Sequence, residues 1–164
     1  MTELELQQKV DAIAAGPAMI AEAVAGCDAA LLDYQPAPGK WSIREMVAHL
    51  ADIDVLYGYR LRQMMADKQP VLAPIDQDDW ARNLHYRDAD VAETLECYRA
   101  SRRANVRLLR RLRVDDLQRG AFHPEHKRVV TIEELIGMMV THDPNHRGQI
   151  ERLRQQAATQ EKGQ

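Results

Sequence analysis

Residues 131–153 read TIEELIGMMVTHDPNHRGQIERL, and this stretch decides the fold. Ile132, Leu135, Ile136, Met139, Ile150 and Leu153 recur in helical steps, which predicts an amphipathic helix with one face toward a core. His142 and His146 fill the gap in that stripe between Met139 and Ile150. Side chains four apart on a helix lie one above the other, so both imidazoles point inward. Thr131 and Glu134 have the spacing of a capping box and set the helix start. A buried imidazole pair is explained most economically by a divalent transition metal, because neutral imidazole is the commonest protein ligand for zinc, nickel, copper and iron. Two ligands do not complete a site, so a third must come from another element.

Working outward, Pro36-Ala37-Pro38-Gly39 marks a loop, and Ser42 and Glu45 repeat the capping-box spacing. A helix follows with the stripe Ile43, Met46, Leu50, Ile53, Tyr57, Leu61 and Met64, ending at about Met65. A first helix is expected from Glu3 to Ala25, with Gly16-Pro17 bending or interrupting it. A third is expected over Val91 to Leu112, burying Val91, Leu95, Tyr98, Leu108 and Leu112 with arginines opposite. Between the second and third, Asp67 to Ala89 reads as a long crossover loop with a short helical turn near Trp80. A plain connection runs through Gly120 and Pro124 to Thr131, and residues 155–164 lose the pattern and are expected to fray. Four amphipathic helices with one long crossover predict an all-α four-helix bundle.

The chain has 164 residues, enough for one substantial core, so residues 1–164 are expected to form a single domain. Hydrophobic residues make up 45% and charged residues 29%, which excludes the disordered class, and aromatics at 5% favour helix over sheet. No apolar run has the length of a membrane span and no early segment reads as a signal peptide. Cys27 and Cys97 form no ligand pattern and suit a reducing compartment, so a cytoplasmic location is expected. A net charge of -3 disfavours nucleic acid and membrane surfaces as partners.

Six histidines occur, at positions 49, 85, 123, 126, 142 and 146, and besides the pair only His49 sits inside a long amphipathic helix. By helical count it lies about 60° from the middle of its stripe, where a neighbouring helix can meet it. His142 and His146 fall within about 60° of their own stripe, so packing the two helices together can converge three imidazoles. Three nitrogens with an open position make a catalytically usable metal site.

Two segments carry a family resemblance. Trp41-Ser42-Ile43-Arg44-Glu45-Met46-Val47-Ala48-His49-Leu50-Ala51-Asp52 is similar to WSxxExxxHLxD, and His142-Asp143-Pro144-Asn145-His146-Arg147-Gly148-Gln149-Ile150 to HxxxHxxQI. In this order, with an Arg-rich helix and a His123-Pro124-Glu125 loop between them, they resemble the DinB-like family. The resemblance covers most of the chain. It implies an up-down-down-up bundle in which His49, His142 and His146 bind a divalent metal, commonly nickel or zinc, with manganese or iron as further candidates. It also implies thiol-dependent chemistry, since better-understood relatives include S-transferases that use bacillithiol or mycothiol and a maleylpyruvate isomerase. A homodimer and a role in stress response are further expectations. Pro144 is a departure: it removes a helix hydrogen bond between the two ligands, which costs about 3 kcal/mol in a regular helix interior and predicts a kink.

Each signal has a plainer reading. A lone histidine at a stripe edge is ordinarily a hydrogen-bonded core residue, and the trio could form a polar network instead of a metal site. Asp143, Asp52 and Glu45 are placed either to orient imidazoles or to face water. His123 and His126 read as exposed loop histidines. Arg99, Arg102, Arg103, Arg107, Arg110, Arg111 and Arg113 read as a solvated helix face, and Met46, Met64, Met138 and Met139 as core filler. The leading expectation is a metal-dependent S-transferase joining a small-molecule thiol to an electrophile. A metal-dependent hydrolase and a non-enzymatic metal-binding protein are the alternatives.

Overall fold

Capping side chains set where the helices start. Thr2 opens α1 (Glu3–Val24), Asp28 opens the short α2 (Ala29–Asp33), Ser42 opens α3 (Ile43–Ala66), Asp76 opens α4 (Gln77–Asn83) and Asp90 opens α5 (Val91–Leu109). Each accepts a hydrogen bond from a first-turn N–H that would otherwise lack a partner. Strands β1 (Gly120–His123) and β2 (Arg128–Thr131) pair antiparallel, and Thr131 caps α6 (Ile132–Lys162). Both predicted capping boxes are complete, with Glu45 and Glu134 accepting from the Ser42 and Thr131 N–H groups at 2.8 Å. These elements belong to a computed structural model that describes residues 1–162, with side chains to residue 160.

Helices α1, α3, α5 and α6 form the expected four-helix bundle. The N-terminus lies beside Glu133 and Arg154 reaches Ala23, so α1 and α6 run parallel. Arg44 meets Ala89 while Arg62 meets Asn105, so α3 and α5 run parallel too. Arg110 beside Asp11 and Val114 beside Glu3 set α5 against α1, giving an up-down-down-up order. Parallel neighbours require the chain to return along the bundle. The 67–90 segment does this, carrying α4 and one 3-10 turn, Tyr86–Asp88, in agreement with the predicted turn near Trp80.

Several expectations need correction. The interruption expected as one outcome at Gly16-Pro17 does not occur: α1 runs through the pair, as α6 runs through Pro144 and on to Lys162. The segment 155–162 is therefore helical, while residues 163–164 lie outside the described residues. The 120–131 connection is a hairpin, with Ala121 and Val130 buried and Phe122 and Val129 exposed, and the Phe122 N–H and carbonyl bond residues 70 and 72 of the crossover. Strands of four residues with so few buried positions give too short a period-two signal to read from sequence. His123 is buried rather than an exposed loop histidine, its ring 4.1 Å from that of His126. Met138 is exposed, unlike the buried Met46, Met64 and Met139.

The largest correction concerns α5. Its buried face is Leu95, Tyr98, Arg102, Asn105, Val106 and Leu109, so Arg102 belongs to the core and not to the solvated arginine face. Arg102 is 3% exposed, and its guanidinium reaches all three other long helices. Nη1 donates to the Ile13 carbonyl and to Asp143 Oδ2, and Nε donates to Asp54 Oδ1, each at 2.6 Å. The Tyr98 hydroxyl accepts from Nη2 at 2.7 Å and donates to Asp143 Oδ1 at 2.6 Å, while Asn105 Nδ2 donates to Asp54. Burial opposes a charged guanidinium, but its bond to Asp143 and the charges around it hold the Arg102 pKa above its ordinary value.

Two α1 residues make this possible. Pro17 has no N–H to give to the carbonyl four residues back, which is Ile13, and Arg102 supplies the missing donor. A Cβ on Gly16 would lie 1.7 Å from Asp143 Oδ2 and 2.6 Å from Arg102 Nη1, so only glycine lets the network reach the helix backbone. The apolar core is divided at this level. One cluster holds Val10, Ile13, Tyr57, Leu109 and Met139, the other Ile20, Leu50, Leu95, Tyr98 and Ile150. Arg102, Asp54 and Asp143 lie between them along the chain on α5, α3 and α6.

Arg102→Met is expected to destabilise the fold by about 3–5 kcal/mol in urea unfolding, because it leaves two buried carboxylates without a counter-charge. Stability unchanged within about 0.5 kcal/mol would contradict the placement of that network. Gly16→Ala is expected to lower stability too, although alanine gains about 1 kcal/mol over glycine in a free helix; a gain in stability would contradict the close approach.

Candidate metal centre

His49 is on α3, about two turns past the cap at Ser42, and His142 and His146 are one turn apart on α6. Antiparallel packing of α3 and α6 brings the predicted three together. Taking one ring nitrogen from each, all three atoms lie within 4.8 Å of one another. Nε2 of His49 and Nε2 of His142 are 3.3 Å apart. Ligands about 2.05 Å from a tetrahedral ion stand ~3.3 Å from each other, so the spacing is that of two ligands to one ion.

The trio is not a fully satisfied hydrogen-bonding network. His49 and His142 can share one proton between them, but Nδ1 of His49 and Nδ1 of His146 are buried without partners. A polar core network would satisfy them. The electrostatics favour lone-pair donors. Burial first, then the neighbouring imidazoles, push the His49 pKa down to about 3 and that of His142 to about 4, and burial also lowers that of His146. All three are therefore neutral at physiological pH, the form that ligates a metal. The residues present fit a divalent transition ion.

The three histidines differ in exposure. His49 is 2% exposed, with the Trp41 ring 4.8 Å from its own, while His142 and His146 are half-buried and line an open cleft of about 790 Å³. Tyr57 meets the His142 ring edge-on at 5.7 Å, with burial pushing its hydroxyl pKa up to about 12, so it stays neutral. Trp41, Gln77, Asn145 and Gln149 also line the cleft, which gives it one aromatic wall and several amide groups.

None of the three carboxylates considered as orienting groups hydrogen-bonds an imidazole. Asp143 turns away from its neighbour His142 toward Tyr98 and Arg102, and Glu45 closes the α3 cap and accepts from Gln35 and Arg87. Asp52 makes no such bond either. Sequence reasoning missed Asp54, Tyr98 and Arg102 as the supports behind the centre. A signal was there: positions 95, 98, 102, 105 and 109 step by three and four, which puts Arg102 and Asn105 on the buried stripe.

Known proteins resemble this chain in sequence and in fold. YfiT of Bacillus subtilis, provisionally named a metal-dependent hydrolase, is 28% identical over 137 residues, covering 84% of this chain and 77% of YfiT. A relative from Oceanobacillus iheyensis with the same provisional name is 26% identical over 153 residues, covering 93% and 88% of the two chains. The solved structure of YfiT superposes with a TM-score of 0.90 at 25% identity, covering 96% of this chain and 90% of that one. It is described as "a probable metal-dependent hydrolase with an unusual four-helix bundle topology". The model of the DinB superfamily matches residues 12–150, which include all three histidines and the Arg102 network, and the chain belongs to that superfamily.

Proposed function

We propose that His49, His142 and His146 hold a divalent transition metal and that the chain is a metal-dependent enzyme acting on small molecules in the cleft above them. The observation that carries this is the convergence of three neutral imidazoles, one sealed in the core and two open to a cleft. Nickel or zinc suits three nitrogen donors best, with manganese or iron next. A bound ion would act as a Lewis acid, favouring the deprotonated form of a thiol or of water.

The rest of the chemistry falls to the chain's own side chains. His49 fixes the ion from the buried side, and Trp41 shields that side from solvent. Asp78 is the one carboxylate on the cleft lining, and Asp143 and Glu45 are committed elsewhere. A protein base is therefore scarce, and a thiol, with an ordinary pKa of about 8.5 against ~15.7 for water, gives its proton to solvent the more readily of the two. This favours thiol S-transfer. Hydrolysis is the second reading, and the names of the relatives favour it. No described helix is long and apolar enough to cross a membrane.

Elemental analysis of the native protein is expected to find close to one equivalent of a transition metal, and His49→Ala to lose it while staying folded by circular dichroism. Native protein that takes up none of nickel, zinc, manganese or iron would overturn the metal reading. Metal at about a hundred times its Kd is expected to add ~2.7 kcal/mol of stability, raising the melting temperature by several degrees in the native chain and not in His49→Ala. For the reaction, conjugation of 1-chloro-2,4-dinitrobenzene to added thiols is set against cleavage of p-nitrophenyl acetate. Metal-dependent ester cleavage without conjugation would replace S-transfer by hydrolysis.

A further inference from the structure

Three arginines follow the histidines on α6, and they have different neighbours. Arg147 pairs with Glu151 at 2.8 Å. Arg154 donates to the carbonyls of Ala23 and Ala25 at the end of α1, at 2.6 and 3.0 Å. Arg152 makes no ion pair among the described residues and instead lines the cleft that holds His142 and His146. On the other side of the same cleft stands Lys40, also without an ion pair among the described residues. It follows Gly39, whose φ of +75° turns the loop there. Against these two cations the lining offers one carboxylate, Asp78.

We propose that Arg152, assisted by Lys40, determines specificity by holding a carboxylate carried by the small molecule that reacts at the histidine centre. This rests on the metal-dependent reading above and names the class of substrate it would take. A guanidinium presents a planar fork of donors that matches a carboxylate, and a cleft mouth with one surplus positive charge matches a monoanion. Arg152 is six residues beyond His146, a rise of about 9 Å along α6. That rise is the axial separation of the two backbone positions, and the Arg152 side chain folds back along it, with Nη1 3.4 Å from where a Cβ on Gly148 would lie. Trp41, Met46 and Leu153 line the cleft as well. The molecule is thus a carboxylate joined by a short apolar spacer to a thiol or an electrophilic centre.

Cobalt(II)-loaded protein tests this, since a thiolate bound to cobalt changes its visible spectrum whether or not any turnover occurs. 6-Mercaptohexanoate is titrated beside 6-mercaptohexanol, which has the same spacer and no charge. The acid is expected to bind about five- to ten-fold more tightly, a preference lost in Arg152→Gln and kept in Arg147→Gln, with the alcohol unaffected by either change. Equal affinities in the native protein, or an Arg152→Gln variant that weakens both thiols alike, would overturn the proposal. If neither thiol moves the cobalt bands, the open-position reading fails, and calorimetry with hexanoate decides the anion subsite on its own. Binding that Arg152→Gln removes upholds the subsite, and absence of binding to the native protein overturns it.

Discussion

The bond between the Arg102 guanidinium and the carbonyl of Ile13 is the constraint around which the middle of this bundle is arranged. The carbonyl is free because Pro17 cannot donate to it, and it can be reached because Gly16 has no side chain. Through its other nitrogens the same guanidinium holds Asp54 on α3 and Asp143 on α6, so one side chain ties four helices to a common level. Buried ion pairs contribute little net stability over well-packed apolar residues, because desolvation offsets the attraction. What this network contributes is register. If α6 slid by one turn relative to α5, Asp143 would lose both Arg102 and Tyr98, whereas an all-aliphatic seam would tolerate the slip more easily.

Register matters here because Asp143 is flanked by the candidate ligands. Within one turn of α6, His142 and His146 face α3 and the cleft while Asp143 faces α1 and α5. The core network and the candidate metal centre are thus two sides of one turn, and the placement of one sets that of the other. Pro144 lies in the same turn without breaking it. The position requires a residue that tolerates the loss of one helix hydrogen bond, and the ties of Asp143 and the packing of Met139 and Ile150 on either side supply the fixation that the missing bond does not.

Much of this was legible in the sequence. The capping boxes at Ser42 and Thr131, the stripes of α3 and α6, and the three histidines on facing helices follow from spacing, because caps and apolar periodicity are local properties written into a few adjacent residues. The charged core was not legible in the same way. Arg102 lies among six other arginines of α5 and its end, and composition assigns such a cluster to solvent. Only its position in the sequence of steps from Leu95 to Leu109 distinguishes it. The role of Gly16-Pro17 is hidden for a related reason. Locally the pair weakens a helix, and its role appears only when a donor from a helix distant in sequence fills the gap. The hairpin is hard to see because its buried positions are Ala121, His123 and Val130, and only two of them are apolar.

The charges at this level also bear on the centre itself. Three imidazole ligands are neutral, so a divalent ion brought among them would carry its full charge into a largely apolar interior. The adjacent network holds two carboxylates against one guanidinium, a formal surplus of one negative charge, and the field of Asp143 is felt at both His142 and His146. A cation at the histidines therefore meets a region whose buried charge already has the opposite sign. The same surplus is unfavourable for the network alone, since burial of Asp54 resists its ionisation and raises its pKa. Each group would thus offset what the other costs: an ion would find counter-charge that its ligands do not provide, and the carboxylates would find positive charge beyond that of Arg102. The ionic core would then be part of the electrostatic environment of the candidate metal centre as well as its scaffold.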